Sequence, residues 1–187
     1  DGGSPKGRLA IFHDTTVEHK RSTQMSLLYE IGNTIAMSTE VQPSLKRSLG
    51  FCIEAMDASG GSIMLIEDGW LTIAAQNGLD PGAIDGHRQR VGEGISGWVA
   101  AKGEPLLISR ANPAPPGING TRDLKDAICI PIRHEDGVIG VLSLNEKKAG
   151  DGFAEEDIDF LGPVATQIGM ALSRARLHEK IAHQEQL

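Results

Sequence analysis

The chain has 187 residues, of which 40% are hydrophobic and 23% are charged, the composition of an ordinary globular protein with one buried core. Its formal net charge of −7 argues against a surface for nucleic acid or for an anionic membrane, because those partners need a basic face. No apolar run approaches the roughly 20 residues that span a bilayer, and no signal-peptide pattern is visible. The two cysteines, Cys52 and Cys129, are too few for a disulfide framework and lack zinc-ligand spacing, so a reducing, cytoplasmic setting without a metal is predicted.

The first 20 residues contain one strand-like segment, RLAIFHD, followed by the sequence DTTVEHKR. This order resembles the end of a PAS domain, in which an aspartate and a threonine tie the last strand to the outgoing helix. The matching positions are Asp14 and Thr16. Asp14 or Thr15 would also serve as an ordinary helix N-cap, and both roles can hold at once. Residues 1–20 are therefore interpreted as the tail end of a PAS-like domain and a linker.

Two helices are predicted before the first strand of the main domain, at residues 16–38 and 43–57. The first has side chains at heptad-like spacing, at Val17, Gln24, Leu28, Ile31 and Ile35. The second has Pro43 in its first turn, where a proline is tolerated. Its apolar stripe consists of Leu45, Leu49, Cys52, Ile53 and Met56. Because Cys52 lies on this stripe, packing in the core is its expected role.

Residues 61–147 have the pattern of a small antiparallel sheet with its own lid. Two apolar runs between Gly61 and Gln76 flank the dipeptide Asp68-Gly69, a strong hairpin signal, and a second hairpin turns at Asp136-Gly137. The other predicted elements of this region are a short helix at Ile95 to Lys102 and a strand at Pro105 to Ser109.

The last predicted helix, residues 154–187, would be about 50 Å long at 1.5 Å per residue. Its first half carries an apolar stripe that faces the sheet, at Ile158, Leu161, Val164, Ala165, Ile168 and Leu172. Beyond Arg174 the apolar residues thin out, which is typical of a helix that leaves its domain. Pro163 removes one backbone hydrogen bond, so a kink is predicted near Asp159 to Gly162.

The blocks SIMLIEDGWLTIAAQNGL, VGEGISGWVAAKGEPLLI and AICIPIRHEDGVIGVLSL, ending near the helix at FAEEDIDFL, resemble the GAF domain, a small-molecule-sensing module of signalling proteins. The resemblance implies an α+β fold with a central antiparallel sheet of five or six strands. It places the N- and C-terminal helices on one face of the sheet and loops plus a short helix on the other. On this basis residues 21–175 are assigned to the GAF domain and residues 176–187 to an outgoing signalling helix.

A ligand pocket is predicted on the loop-side face of the sheet, where the resemblance implies that GAF domains hold their ligands. On the first strand Ser62, Met64 and Ile66 alternate with Ile63 and Leu65, and the first set has the mixed polarity of a site. The predicted lining is Met64, Trp98, Ile108, Cys129 and Ser143, closed by residues 80–88 and 110–126. Cys129 is expected to be a wall residue rather than a nucleophile, and Trp98 either plugs the core or lines the cavity.

Basic residues near the two connections could meet an anionic ligand, although such residues are often solvated or salt-bridged. They are His87, Arg88, Arg90, Arg122 and Lys125. The segment Gly92 to Gly97 lacks the lysine and serine that end a P-loop, so it is interpreted as a glycine-bounded entry to the short helix. No catalytic triad, carboxylate pair or histidine metal spacing is visible, the cofactor is unknown, and haem stays open.

The sequence is compatible with three functions from different classes. The first is a ligand-sensing or redox-sensing module of a cytoplasmic signal-transduction protein, such as a histidine kinase or a cyclic-dinucleotide enzyme, with an output domain downstream. The second is a ligand-free dimerisation or relay spacer. The third is an enzyme, because one branch of the GAF family reduces free methionine sulfoxide. That branch needs a nucleophilic thiol near the pocket and a resolving thiol in the loops, and the loops contain none, so the chain is predicted not to be an enzyme.

A parallel homodimer built from the terminal helices is also predicted. The expected interface is Val17, Leu28, Ile31, Ile35, Leu177 and Ile181. Each apolar side chain left in water would forgo roughly 1.5–3 kcal/mol of burial free energy, and pairing about a two-fold axis would recover it. The competing interpretation is that other parts of the parent protein cover these residues.

Overall fold

Two β-hairpins form the centre of a six-stranded antiparallel sheet. The computed structural model describes residues 22–26, 29–30, 41–78, 88–118, 124–135, 137–150 and 152–184, with side chains as far as Leu177. The strands are β1 (Ala58–Glu67), β2 (Trp70–Asn77), β3 (Arg88–Arg90), β4 (Leu106–Ile108), β5 (Ala127–His134) and β6 (Gly137–Lys147). Their order across the sheet is β3-β2-β1-β6-β5-β4, so β3 and β4 are the two edges. The predicted antiparallel sheet is confirmed.

The turn between β1 and β2 is a tight two-residue connection. Asp68 and Gly69 have φ angles of 50° and 78°, and Glu67 lies directly opposite Trp70. Two consecutive left-handed residues are the requirement of the hairpin turn that matches the strand twist, which is why an Asp-Gly pair occurs here. The second predicted hairpin also forms, but Gly137 belongs to strand β6, opposite His134 of β5, rather than to the turn.

Three helices pack against the sheet: α1 (Val41–Ala55), α2 (Gly94–Lys102) and α3 (Glu155–Gln184). Helix α1 ends two residues earlier than expected, because Asp57 takes a left-handed φ of 51° and leads directly into β1. Residues 22–26 and 29–30 are also helical, in agreement with part of the predicted first helix. The PAS-like residues 1–20 lie outside the described part of the chain. None of the described helices is long and apolar enough to cross a membrane.

Helix α3 continues through Pro163, and a side chain from another helix supports it there. Proline has no N–H group, so the carbonyl oxygen of Asp159 loses its usual helical donor. The amide Nε2 of Gln24 lies 3.3 Å from the Asp159 oxygen and 3.1 Å from the Phe160 oxygen. The helical residues 22–26 are thereby tied to α3 at its proline. The kink itself stays a prediction.

The two faces of the sheet are covered by separate apolar layers. The helical core lies between the sheet and helices α1 and α3; its members include Leu45, Leu49, Cys52, Ile63, Ile128, Leu142, Leu161, Ile168 and Leu172. The lid layer lies between the sheet and α2; its buried members are Met64, Leu71, Val99, Ala100, Leu106, Ile108, Ala127, Cys129 and Val141. The predicted division of β1 is confirmed, since Ile63 packs in the helical core and Met64 in the lid layer.

Candidate functional site

A row of small polar residues crosses the lid-layer face of the sheet. Ser62 of β1 lies directly opposite Ser143 of β6, and Ser143 lies directly opposite Cys129 of β5. Residues opposite one another in antiparallel strands share a face, so these three side chains stand side by side beneath α2. All three are buried, at 8%, 6% and 2% of their full exposure.

The row is connected to α2 through its hydroxyl groups. The Cys129 thiol donates to Ser143 Oγ at 3.2 Å, and Ser96 Oγ of α2 lies 3.4 Å from the same oxygen. The start of α2 also packs closely on strand β3 because Gly97 has no side chain: a Cβ there would lie 2.4 Å from the carbonyl oxygen of Arg90. Ser143 is therefore one point at which a side chain of the sheet meets a side chain of α2.

The five predicted lining residues belong to the lid layer or border it. Met64, Ile108 and Cys129 are buried members of the lid layer, and Trp98 is a partly buried residue packed against it. Ser143 joins them through its bond to Cys129. Residues 80–87 and 119–123 of the predicted closing loops lie outside the described part of the chain. The cavity between these loops and the five residues stays a prediction, as does the choice between plug and lining for Trp98.

Both cysteines are protonated thiols at neutral pH. Burial raises the pKa of Cys129 from its usual 9.0 to about 11, and the contact with Ser143 partly opposes this shift. Burial alone raises the pKa of Cys52 to about 12. Since the thiolate is the nucleophile in cysteine chemistry, neither side chain is activated for attack. Within the described residues no three His, Cys, Asp or Glu side chains are grouped to hold a metal ion.

The structure does not bring Arg88 to the lid-layer face. Arg88 lies opposite Thr72, whereas the next residue, Gln89, lies opposite Leu71 of the lid layer. Successive side chains of a strand point to opposite faces, so Gln89 faces the predicted pocket and Arg88 faces away from it. The expectation that Arg88 contacts the pocket ligand is therefore corrected. His87 and Arg122 lie outside the described residues.

Of the predicted dimer interface, the structure describes one side chain. Leu177 is on α3 and keeps 59% of its surface exposed. Val17, Leu28, Ile31 and Ile35 lie outside the described residues, and Ile181 belongs to the part of α3 whose side chains are not described.

Three polar neighbours of the site, Ser62, Gln76 and Ser96, are not among the predicted lining residues. Ser62 had been placed on the right face of β1, but its position beside Ser143 depends on the register between β1 and β6. Gln76 lies opposite Ser62, and Ile73 lies opposite Met64. Residues three apart in a regular strand would point to opposite faces. Here Ala74 is an extra residue without a partner on β1, so Gln76 and Ile73 share one face. Ser96 could have been suspected as the one hydroxyl in the glycine-bounded start of α2.

A surface groove of about 390 Å³ lies elsewhere, between the first turns of α1 and strand β2. Its lining consists of Gln42, Pro43, Lys46, Ile73, Ala74, Ala75 and Gln76. None of the predicted ligand-binding residues lines it. The groove includes Gln76, the neighbour of Ser62, but Ser62, Ser143 and Cys129 do not line it.

The comparison with known families agrees with this architecture. A family model described as "GAF domain" matches residues 41–173, which is most of the chain. The chain belongs to the GAF domain family.

Similar proteins carry this domain in different settings. The Nif-specific regulatory protein of Azospirillum brasilense is 28% identical over 171 residues, which cover 86% of this chain and 27% of that protein. The chain thus spans about a quarter of that relative. The GAF domain of an Acinetobacter phosphoenolpyruvate-protein phosphotransferase has the same fold, with a TM-score of 0.68, 22% identity, and coverage of 84% of this chain and 97% of that one.

A free methionine-R-sulfoxide reductase from Neisseria meningitidis, solved with its substrate, also shares the fold. Its TM-score is 0.71 at 20% identity, with 91% of this chain and 98% of that one covered. At this identity the likeness shows a shared fold and does not extend to the chemistry of the reductase.

Proposed function

We propose that this chain is a regulatory sensory module that binds a small molecule on the lid-layer face and transmits its occupancy through α3. The observation that carries the proposal is the hydrogen-bonded row of Ser96, Ser143 and Cys129 within an otherwise apolar layer. Apolar walls with a few convergent polar groups are the usual composition of a small-molecule site.

The residues at this site suit an uncharged ligand or an uncharged part of one. Ser62, Ser96 and Ser143 can each donate and accept a hydrogen bond, whereas Met64 and Ile108 offer apolar surface. The polar side chains that meet here, Ser62, Ser96, Ser143 and Cys129, carry no charge at neutral pH. The module would therefore recognise a compact, largely apolar molecule with a hydrogen-bonding group directed at Ser143.

Strands β5 and β6 connect the site to α3. On one side they carry Cys129 and Ser143, and on the other side Ile128 and Leu142 pack in the helical core. Helix α3 lies against β5 so closely that a Cβ at Gly169 would stand 2.2 Å from a strand carbonyl. Close-packed interiors transmit displacements, so a ligand that separates α2 from the sheet would shift the strands on which α3 rests.

The module would operate as part of a longer regulatory protein. The similarity to the Nif-specific regulatory protein, of which the chain spans 27%, supports a regulatory setting with an output domain beyond the outgoing helix. Residues 1–20 as a PAS-like end, 21–175 as the GAF domain and 176–187 as a signalling helix are the division we propose. Pairing of the terminal helices in a homodimer would carry the movement of α3 onward.

A ligand-free relay is the second candidate, because one observation favours it. The hydroxyls of Ser96 and Ser143 and the thiol of Cys129 already bond to one another, so these three groups do not require a ligand. The reductase function is disfavoured by the high pKa of both thiols, and incubation with methionine sulfoxide and a thiol reductant is expected to give no turnover.

Native mass spectrometry of the protein purified from its own host tests the sensory proposal. We expect a retained mass beyond that of the polypeptide, and we expect Ser143→Val to lose it, because the hydrogen bond to the ligand is removed. Ser59→Ala, at an exposed position on β1, is the matched control and should retain the mass. A polypeptide of bare mass that also gains no thermal stability from any compound in a metabolite library would instead support the relay.

A further inference from the structure

Strand β3 has one unpaired edge whose backbone groups point outward. Val91 N–H donates to the Gly69 carbonyl oxygen at 3.0 Å, so these two residues form a hydrogen-bonded pair. Hydrogen-bonded and non-hydrogen-bonded pairs alternate along antiparallel strands, and Gln89 is therefore the next residue to bond β2. The backbone N–H and C=O groups of Arg88 and Arg90 consequently point away from the sheet.

The two edges of the sheet differ in how these outward groups are used. At β4, the side-chain amide of Asn112 donates to the Leu107 carbonyl oxygen at 2.7 Å and occupies that edge. At β3, the Arg90 carbonyl accepts from Glu93 N–H at 3.0 Å and Gly97 of α2 packs directly against it, so this carbonyl is not available to another strand. Within the described part of the chain, no other bond reaches the N–H and C=O of Arg88 or the N–H of Arg90. The β3 edge thus retains the donors and the acceptor that another strand would need.

The side chains of this edge form a basic surface held by one aromatic ring. The guanidinium carbons of Arg88 and Arg90 lie 4.8 Å and 4.9 Å from the ring centroid of Trp70. Both arginines are exposed, and none of the described carboxylates forms an ion pair with them. A guanidinium stacked on an aromatic face still presents its N–H edges, which match a carboxylate in bidentate geometry.

We propose that the β3 edge is a docking site for an extended acidic segment of a partner protein, which adds as a strand beside β3. Carboxylates two residues apart on that segment would share one face and stand opposite Arg88 and Arg90. Charged residues on an edge normally prevent strand addition, and here the arginines repel basic strands, including β3 of a second copy. The same charges admit an acidic strand, so charge complementarity selects the partner.

Fluorescence anisotropy of labelled, end-blocked peptides with the 187-residue chain tests this site. The probe peptide is Thr-Glu-Val-Glu-Val-Thr, in which both glutamates face one side of an extended chain. We expect it to bind at least about tenfold more tightly than Thr-Glu-Glu-Val-Val-Thr, which has the same charge on opposite faces. Methylating the backbone nitrogens on the pairing side of the probe should also abolish binding, because strand addition needs those donors.

Variants of the chain assign the binding to β3. The Arg88→Gln and Arg90→Gln double variant should lose the preference for the probe peptide, whereas Arg110→Gln, at an exposed arginine outside the sheet, should keep it. Equal binding of the two glutamate peptides would mean non-directional charge attraction and would overturn the proposal. An absence of binding, or binding that is unchanged in the double variant, would overturn it as well.

Discussion

Cys52 and Cys129 are enclosed on opposite faces of the sheet, and burial determines their chemistry. Cys52 has no exposed surface in the helical core, and Cys129 has 2% exposure in the lid layer. A thiolate in such surroundings would lose its hydration, so each pKa is raised above 9.0. At the residue scale both cysteines are apolar packing groups, as the sequence predicted for Cys52 from its position on a helical stripe.

The raised pKa of Cys52 predicts a loss of stability in alkaline solution. The unfolded thiol titrates near 9.0 and the folded one near 12, so its contribution to stability is complete below pH 9 and is lost as the pH rises towards 12. We expect this group to lower the free energy of unfolding by about 1.4 kcal/mol per pH unit in that window. Urea unfolding from pH 8 to 11 should show a shallower decline in Cys52→Ala, and equal slopes in the variant and the wild type would contradict the assignment.

The hydroxyl of Ser48 predicts a stabilising substitution. Ser48 is fully buried on α1, and its Oγ has no hydrogen-bond partner among the described residues. Because an unsatisfied buried polar group costs about 1–3 kcal/mol, Ser48→Ala should raise the free energy of unfolding by about 1 kcal/mol or more. Ser44, one turn earlier and also buried, does make an interaction, so Ser44→Ala is the matched control and should gain nothing. A loss of stability in Ser48→Ala would show that its hydroxyl is bonded.

At the scale of the elements, the contact between α3 and β5 depends on a missing side chain. A Cβ at Gly169 would lie 2.2 Å from the carbonyl oxygen of Arg133, and the helix would have to move away from the strand. We expect Gly169→Ala to lower the free energy of unfolding by about 2–3 kcal/mol, despite the higher helix propensity of alanine. Gly50 on α1 has nothing within 4 Å of the equivalent position, so Gly50→Ala should be neutral or stabilising by up to about 1 kcal/mol. Similar denaturation midpoints for the two variants would contradict the close contact.

The bond from Gln24 to α3 predicts a local effect at the proline. Gln24→Met keeps the length of the side chain but removes the donor to the carbonyls of Asp159 and Phe160. We expect amide hydrogen exchange in the first turns of α3 to become faster, with a loss of global stability of about 0.5–1.5 kcal/mol at most. Gln42→Met, at an exposed position on α1, is the control. Unchanged exchange around Pro163 in the Gln24 variant would mean that the first helix does not support α3.

At the scale of the whole molecule, the proposed homodimer places Leu177 at a subunit contact. Leu177 exposes 59% of its surface, and burying it against a second copy would recover apolar free energy of up to about 1.5–3 kcal/mol. We expect a dimer at micromolar concentration by sedimentation equilibrium, and we expect Leu177→Glu to shift it towards monomer. Ser59→Glu adds the same charge at an exposed position of β1 and should leave the dimer intact. A monomeric wild type would refute the dimer of this chain, and a dimer insensitive to both Leu177→Glu and Leu28→Glu would place the interface elsewhere.

The elements and faces of the domain were determined by local and periodic signals in the sequence. Asp68-Gly69 specifies its hairpin through two left-handed residues, and the alternation of Ile63 with Met64 assigns the two faces of β1. The stripe of α3 likewise identifies its buried side, from Leu161 to Leu172. Each of these signals depends on residues that are close together in the sequence, so the sequence alone is enough to predict the elements and their faces.

Tertiary structure decided the contacts that depend on strand register and on distant segments. Arg88 faces away from the predicted pocket because of the register in which β3 pairs with β2. A shift of one residue would move every side chain of β3 to the opposite face. The unpaired Ala74 in β2 similarly brings Gln76 to the row of Ser62. Gln24 meets Phe160 across 136 positions of sequence, a contact that no local pattern encodes, because only the folded packing of the helices brings the donor and the carbonyl together.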